Sequence, residues 1–237
     1  MIVSEAATDR PAAATDPAAG APGAAVASER DPDARTHLLD AAEELFAQHG
    51  FVATSTRMVA RVAGINLGSL HYYFASKEAL YLAVFQRRGR PVVAERMRLL
   101  AREQARHGDA PVPLPALIRC FVEPFLAGPL QRHAPAFVQL HCRLAAEPVE
   151  LAMQVRSSIY NESTHAFVQA FRRTLTDLPE EVLYWRLHFM IGAFTYSLAH
   201  SGRLEFISGG QCTSSDTGAA LAQILPFLES GLRAPHP

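Results

Sequence analysis

Residues 54–78 read TSTRMVARVAGINLGSLHYYFASKE, and the fold turns on them. Thr54 or Ser55 can cap a short helix that carries Val59 and Val62 on its inner face, and Gly64 breaks that helix. Asn66 can cap a second one, with Leu70 and Phe74 four residues apart and turned inward. Leu67, Gly68, His71 and Tyr72 are then left on the outer side. Two short helices joined by a tight glycine turn make a helix-turn-helix.

Outward from this stretch the helical pattern continues in both directions. Upstream, RTHLLDAAEELFAQHG sets Leu38, Ala42, Leu45 and Phe46 on one stripe, and Gly50 supplies a stop. Downstream, Ser76 caps KEALYLAVFQRR, and Gly89-Arg90-Pro91 predicts a kink or a restart as PVVAERMRLLAREQAR. Further helices are expected over Leu114–Leu126, Pro135–Ala146, Val149–Thr176, Pro179–Ala199 and Thr217–Leu232. No segment sustains a two-residue alternation and no repeat stands out, so the fold class is all-α. The expected division is a tail over 1–32, a three-helix domain over 33–82 and a larger helical domain over 83–237.

Composition is consistent with a globular chain: 237 residues, 49% hydrophobic and 19% charged, which excludes fibrous and wholly disordered classes. Residues 1–32 hold 11 Ala and four Pro with few large apolar side chains, a composition that does not offset the entropy of ordering. Charge is uneven. Residues 33–106 carry eleven Lys plus Arg against seven acids, and Thr54–Arg90 carries six basic residues against Glu78 alone, a local excess suited to a polyanion or, more blandly, a solvated face. The start, MIVSEAATDRP, lacks a basic segment followed by an apolar one, and the charge-free run Leu187–Gly202 is 16 residues, short of a membrane span of about 20. A cytoplasmic location is expected, with no membrane partner. Cys120, Cys142 and Cys212 are an odd, sparse set that fits a reducing compartment.

From about Arg35 to Leu82 the chain resembles the TetR-type (TetR/AcrR) transcriptional regulators, through LLDAAEELFAQHGF, TSTRMVARVAGI and NLGSLHYYFASKEAL. The resemblance implies an N-terminal helix-turn-helix DNA-binding domain followed by a helical ligand-binding and dimerisation domain, without a cofactor or catalytic residues. The second short helix suits a major groove: Gly68 lets backbone approach, Ser69 can donate or accept, and Leu67 can meet a thymine methyl. By family analogy Asn66, His71, Tyr72 and Tyr73, with Thr54, Ser55, Thr56 and Arg57 at the preceding helix start, grip phosphates or groove edges. Many relatives carry Tyr where this chain has His71. Tyr72, Tyr73 and Phe74 can alternatively fill a small core, the reading preferred for Phe74. Lys77 is the only lysine in the chain and sits in the first turn of a helix, where a cation opposes the dipole; a DNA phosphate would reverse that sign.

In the C-terminal half, VLYWRLHFMIGAFTYSLA is apolar nearly all round, so both faces need cover. One face can meet a partner together with Leu221, Ile224, Leu225 and Leu228 of the last helix, giving a homodimer through the last two helices, as the resemblance implies. Two-fold symmetry suits a pseudo-palindromic operator in double-stranded DNA. The resemblance further implies a cavity for an unknown small-molecule effector that releases a repressor, with the helix after Ser76 as lever. Candidate lining residues are Phe121, Phe125, His141, Tyr160, His165, Trp185 and Phe189, each of which is equally at home in plain core. Glu162-x-x-His165 resembles half of a di-metal site, the basis of an alternative helical-bundle metal protein or enzyme, but no second copy accompanies it and no metal ligands are assigned. No Cys-x-x-Cys spacing supports redox sensing by Cys120 and Cys142, which read as inert core.

Overall fold

The computed structural model describes residues 32–126 and 134–235, and every regular element among these is helical. The Ala- and Pro-rich tail expected over 1–32 lies outside the described residues except for Pro32. Helix α1 (Pro32–Ala53) buries Leu38, Ala42, Leu45 and Phe46 as one stripe, and Gly50 breaks its backbone at φ 78°, ψ 173°. Then come α2 (Thr56–Ala63), α3 (Leu67–Tyr73) and α4 (Lys77–His107).

Three polar side chains start these helices by satisfying an N–H that has no carbonyl partner within the helix. Ser55 accepts from Met58 N at 3.2 Å, Asn66 from Ser69 N at 2.7 Å and Ser76 from Ala79 N at 3.1 Å. Gly64 ends α2 in the left-handed region, φ 68° and ψ 23°, where a side chain would be strained. The inner face of α2 is Val59 and Ala60 rather than Val59 and Val62. Val62 is 57% exposed, because eight residues turn only one narrow edge toward α1 and α3.

The expected restart at Gly89–Pro91 is absent: α4 runs unbroken through 31 residues with Pro91 on an exposed side. Gly89 serves packing instead. A Cβ there would lie 2.9 Å from Tyr160 Oη and 3.0 Å from Ile159 Cγ2, so only glycine lets the facing segment lie so close. That segment is a π-helical turn, Arg156–Tyr160, between α7 (Val149–Val155) and α8 (Asn161–Thr174), where one continuous helix was expected.

Helix α5 (Leu114–Leu126) packs on α4, and α6 (Pro135–Arg143) packs on α1 before a 3-10 turn, Leu144–Ala146. Helix α9 (Glu180–Ser197) and α11 (Thr217–Arg233) close the bundle, with a short α10 (Arg203–Ile207) that the sequence pattern did not suggest. Five residues are too few to show a period, and the loop after α10 is held by Glu205, which accepts from Ser214 N at 2.6 Å and Ser214 Oγ at 2.8 Å. Helix α4 is the spine, touching α1 on one side and α5, α8 and the π turn on the other. Buried Glu43 of α1 fastens the two halves by accepting from Arg87 at 2.6 Å and Arg88 at 2.9 Å of α4, while Arg87 also reaches Asp40 at 2.7 Å. No helix among the described residues is long and apolar enough to cross a membrane.

Candidate nucleic-acid interface and effector core

Helix α3 projects its polar edge outward. Asn66, Gly68, His71 and Tyr72 are exposed, Ser69 and Leu67 are half-covered, and Leu70 and Phe74 are buried beneath them. Tyr72, 64% exposed, sets its ring edge-on to Tyr73 at 5.3 Å, and Tyr73 leans partly into the core, so the pair divides into an outer and an inner ring. Gly68 has a local role besides any approach to bases, since a Cβ there would lie 3.3 Å from the Asn66 Oδ1 that caps the helix. At the start of α2, Ser55 and Arg57 are exposed and Thr56 is half-covered.

Thr54 and Lys77 depart from expectation at the break in α1. Thr54 is 1% exposed, and its hydroxyl faces Gly50 O at 2.8 Å and Leu45 O at 3.2 Å. Its side chain is therefore a plug for carbonyls freed by the break rather than a phosphate contact. Lys77 donates to Phe51 O at 2.9 Å and Thr54 O at 3.0 Å, and its ammonium stands 4.1 Å above the Phe51 ring. The cation that opposes the dipole of α4 is thus balanced by the carbonyl end of α1, with one of its three protons still available.

The opposite charge completes this junction. Glu147, after α6, accepts from Phe51 N at 3.0 and 3.2 Å, and its Oε1 lies 3.1 Å from where a Cβ on Gly50 would stand. The residues downstream of α6 therefore hold the backbone on which the helix-turn-helix rests.

Of the six basic residues over 54–90, Arg87 and Arg88 neutralise α1 carboxylates and Lys77 binds carbonyls. Arg57 and Arg61, one turn apart on α2, and Arg90 of α4 are exposed with no side-chain hydrogen bond or ion pair among the described residues. Arg61 was absent from the sequence-based set, although its i, i+4 spacing from Arg57 was a readable signal.

The effector candidates fall into two groups. Phe121, Phe125 and Tyr160 are buried, and His141 packs on Phe125 at 4.3 Å and meets Tyr160 Oη through Nδ1 at 3.3 Å. Burial, with Arg96 and Arg156 nearby, pushes the His141 imidazole down to about 3, and burial pushes the Tyr160 phenol up. Trp185 and Phe189 are instead 55% and 62% exposed, their rings tilted against each other at 5.7 Å on the outer face of α9, and His165 is exposed as well. These three do not join the core, because α8 and α9 bury other edges, Phe167 and Phe171 on one and Leu183, Leu187 and Met190 on the other. Exposed Glu162 shares its helix with His165, and no group of three His, Cys, Asp or Glu among the described residues could hold a metal. Burial raises the Cys120 and Cys142 thiols to about 11, away from thiolate reactivity.

The sequence of this chain matches two family profiles: "Bacterial regulatory proteins, tetR family" over residues 38–84 and "Tetracyclin repressor-like, C-terminal domain" over residues 119–231. Together they cover more than half of the chain. The chain belongs to the TetR family. The regulator RutR of Escherichia coli K12 is 47% identical over 49 residues, 21% of this chain and 23% of RutR. The repressor KstR2 of Rhodococcus jostii RHA1 is 52% identical over 46 residues, 19% of this chain and 22% of KstR2. The matched stretch thus spans less than a quarter of these relatives. Among solved structures, the fatty acid degradation regulator FadR of Bacillus halodurans aligns with TM-score 0.57 at 14% identity, covering 86% of this chain and 98% of FadR. A TetR-like regulator from Rhodococcus sp. RHA1 aligns with TM-score 0.56 at 22% identity, covering 85% and 97%. These likenesses establish the TetR fold.

One more surface bears on this fold. Besides Trp185 and Phe189, α9 exposes Tyr184, Ile191 and Tyr196, and Phe227 of α11 is 68% exposed. Ile224 and Leu228, expected in a seam between chains, are buried within this chain, while Leu221 and Leu225 are partly covered.

Proposed function

We propose that this chain is a transcriptional repressor that binds a pseudo-palindromic operator as a homodimer and leaves it when a small molecule binds the larger helical domain. The observation that carries this reading is the outward polar edge of α3 beside the unpaired Arg57 and Arg61 of α2. Short helices of this kind enter a major groove about 12 Å wide, with side chains at the helix start reading base edges. Leu67, Gly68 and Ser69 face the bases; Asn66, His71, Tyr72 and Tyr73 meet the groove edge and backbone. Ser55, Thr56, Arg57 and Arg61 hold phosphates. Lys77 offers a phosphate its one remaining proton while continuing to hold α1. The printed name of KstR2 supports repression, and a DNA-bound role fits a cytoplasmic location.

The dimer forms through the outer face of α9 with α11, where Trp185, Phe189 and Phe227 are exposed apolar side chains of the kind an interface covers. Release requires an effector with unequal affinity for two conformations. Helix α6 is the route: His141 faces the buried rings, and Glu147 beyond its end holds Phe51 N. Rotation of α6 loosens the seat of the recognition helices, alongside any motion of α4.

Selection of bound fragments from a genomic library by the purified full chain tests the reading. The expected result is a two-fold site with half-sites one helical turn apart, about 34 Å, and affinity that falls steeply with salt. Equal affinity for all sequences, or indifference to salt, overturns it.

A further inference from the structure

Arg96 is the most anomalous charge in the fold. It is 4% exposed on α4, its guanidinium carbon stands 3.9 Å above the Phe121 ring and 5.8 Å from those of Phe125 and Phe194. Its Nε donates to Phe121 O at 2.7 Å, while its buried Nη2 has no hydrogen-bond partner among the described residues. A buried guanidinium normally keeps a carboxylate. None pairs with this one among the described residues.

The surroundings repeat the imbalance. The charges acting on His141 are both positive, Arg96 and Arg156, and burial lowers Arg96 itself to about 10. Tyr160, which meets His141 at 3.3 Å, is set by the π-helical turn Arg156–Tyr160, and such bulges recur at functional sites. Gly89 preserves the close approach of that turn to α4, seven residues before Arg96.

We propose that Arg96 anchors an organic carboxylate, whose apolar body lies among Phe121, Phe125 and Phe194. The anion supplies the acceptor that Nη2 lacks, and Tyr160 and His141 flank it as neutral hydrogen-bonding groups. Guanidinium and carboxylate match as planar partners, whereas the aromatic faces on Arg96 favour a hydrocarbon or aryl body over a sugar or nucleotide. This inference rests on the effector reading above and names the chemical class of that effector.

Calorimetry on the full chain with benzoate, 4-phenylbutyrate and octanoate, each beside its primary amide, tests it. At least one acid is expected to bind about tenfold or more tightly than its amide, and Arg96→Met is expected to erase that preference while leaving operator affinity in place. Arg96→Lys, which keeps the charge and loses the fork, is a second variant should the first not fold, and is expected to lower the preference without abolishing it. Equal binding within every pair, binding of no acid, survival of the preference in Arg96→Met, or a response satisfied by chloride alone overturns the proposal. An acid that binds through Arg96 without releasing operator upholds this site and overturns effector release. Release by amides as readily as by acids does the reverse.

Discussion

The helix-turn-helix and the core around Arg96 treat polar groups in opposite ways. In the first, Ser55, Asn66 and Ser76 each satisfy a backbone N–H three residues ahead, at 2.7 to 3.2 Å. In the second, a guanidinium lies under aromatic rings with Nη2 unmatched, and His141 and Tyr160 answer mainly to each other. A locally satisfied unit keeps one shape whatever surrounds it, as a reading head requires. A core with uncompensated charge has a reason to change when an anion arrives. Between them lies the junction at Gly50–Thr54, where Glu147 and Lys77 approach from distant parts of the chain.

Phe189→Asp puts a charge in the centre of the proposed dimer face and is expected to weaken self-association by about 3 kcal/mol or more, over a hundredfold, read by sedimentation. Unchanged self-association removes α9 from the interface. Gly89→Ala separates local from tertiary control. Helix propensity alone favours the alanine by roughly 1 kcal/mol, whereas the approach of Tyr160 and Ile159 makes it destabilising by about 1–3 kcal/mol in chemical denaturation.

Smaller effects sharpen the contrast. Arg57→Ala with Arg61→Ala, which removes four phosphate contacts from a dimer, is expected to lower operator affinity roughly tenfold or more and to reduce the slope of log affinity against log salt by about 4, measured by anisotropy. A fold change without a change of slope places these arginines away from phosphates. In the core, His141 has a usual value of 6.5 and is held at about 3, so an unfolded chain takes up a proton the folded chain refuses between those limits. Stability is then expected to fall as pH drops through that window, by at most about 1.4 kcal/mol per unit, and His141→Phe flattens the slope. Smallest of all, Thr54→Val removes a hydroxyl from two carbonyls and is expected to cost about 1 kcal/mol while leaving the salt slope of DNA binding untouched.

Particular residues mark how far the sequence was legible. Ser55, Gly64, Asn66 and Ser76 were readable because a cap is a decision taken within four residues. The stripe Leu38, Ala42, Leu45 and Phe46 was readable because its period is that of a helix. The outward set on α3 followed from the same periodicity. Thr54 misled because a threonine before a helix resembles a cap, and only the break at Gly50 assigns its hydroxyl to carbonyls behind it. Trp185 and Phe189 misled because periodicity gives no signal in a helix apolar on nearly every side. Pro91 misled only as a restart, because a helix packed on α1, α5 and α8 stays continuous through a proline.

By itself the sequence determined an all-helical chain with a helix-turn-helix near its start, since spacing and capping act over a few residues and need no distant partner. The tertiary structure alone decided which arginines pair with acids, which carbonyls Lys77 holds, and that Arg96 is buried with no carboxylate paired to it among the described residues. Those outcomes depend on residues tens of positions apart being brought within 3 to 4 Å, as when Glu147 meets Phe51 across 96 positions at 3.0 Å. Helical periodicity assigns a side chain to a face, but the charge across from it is set by packing.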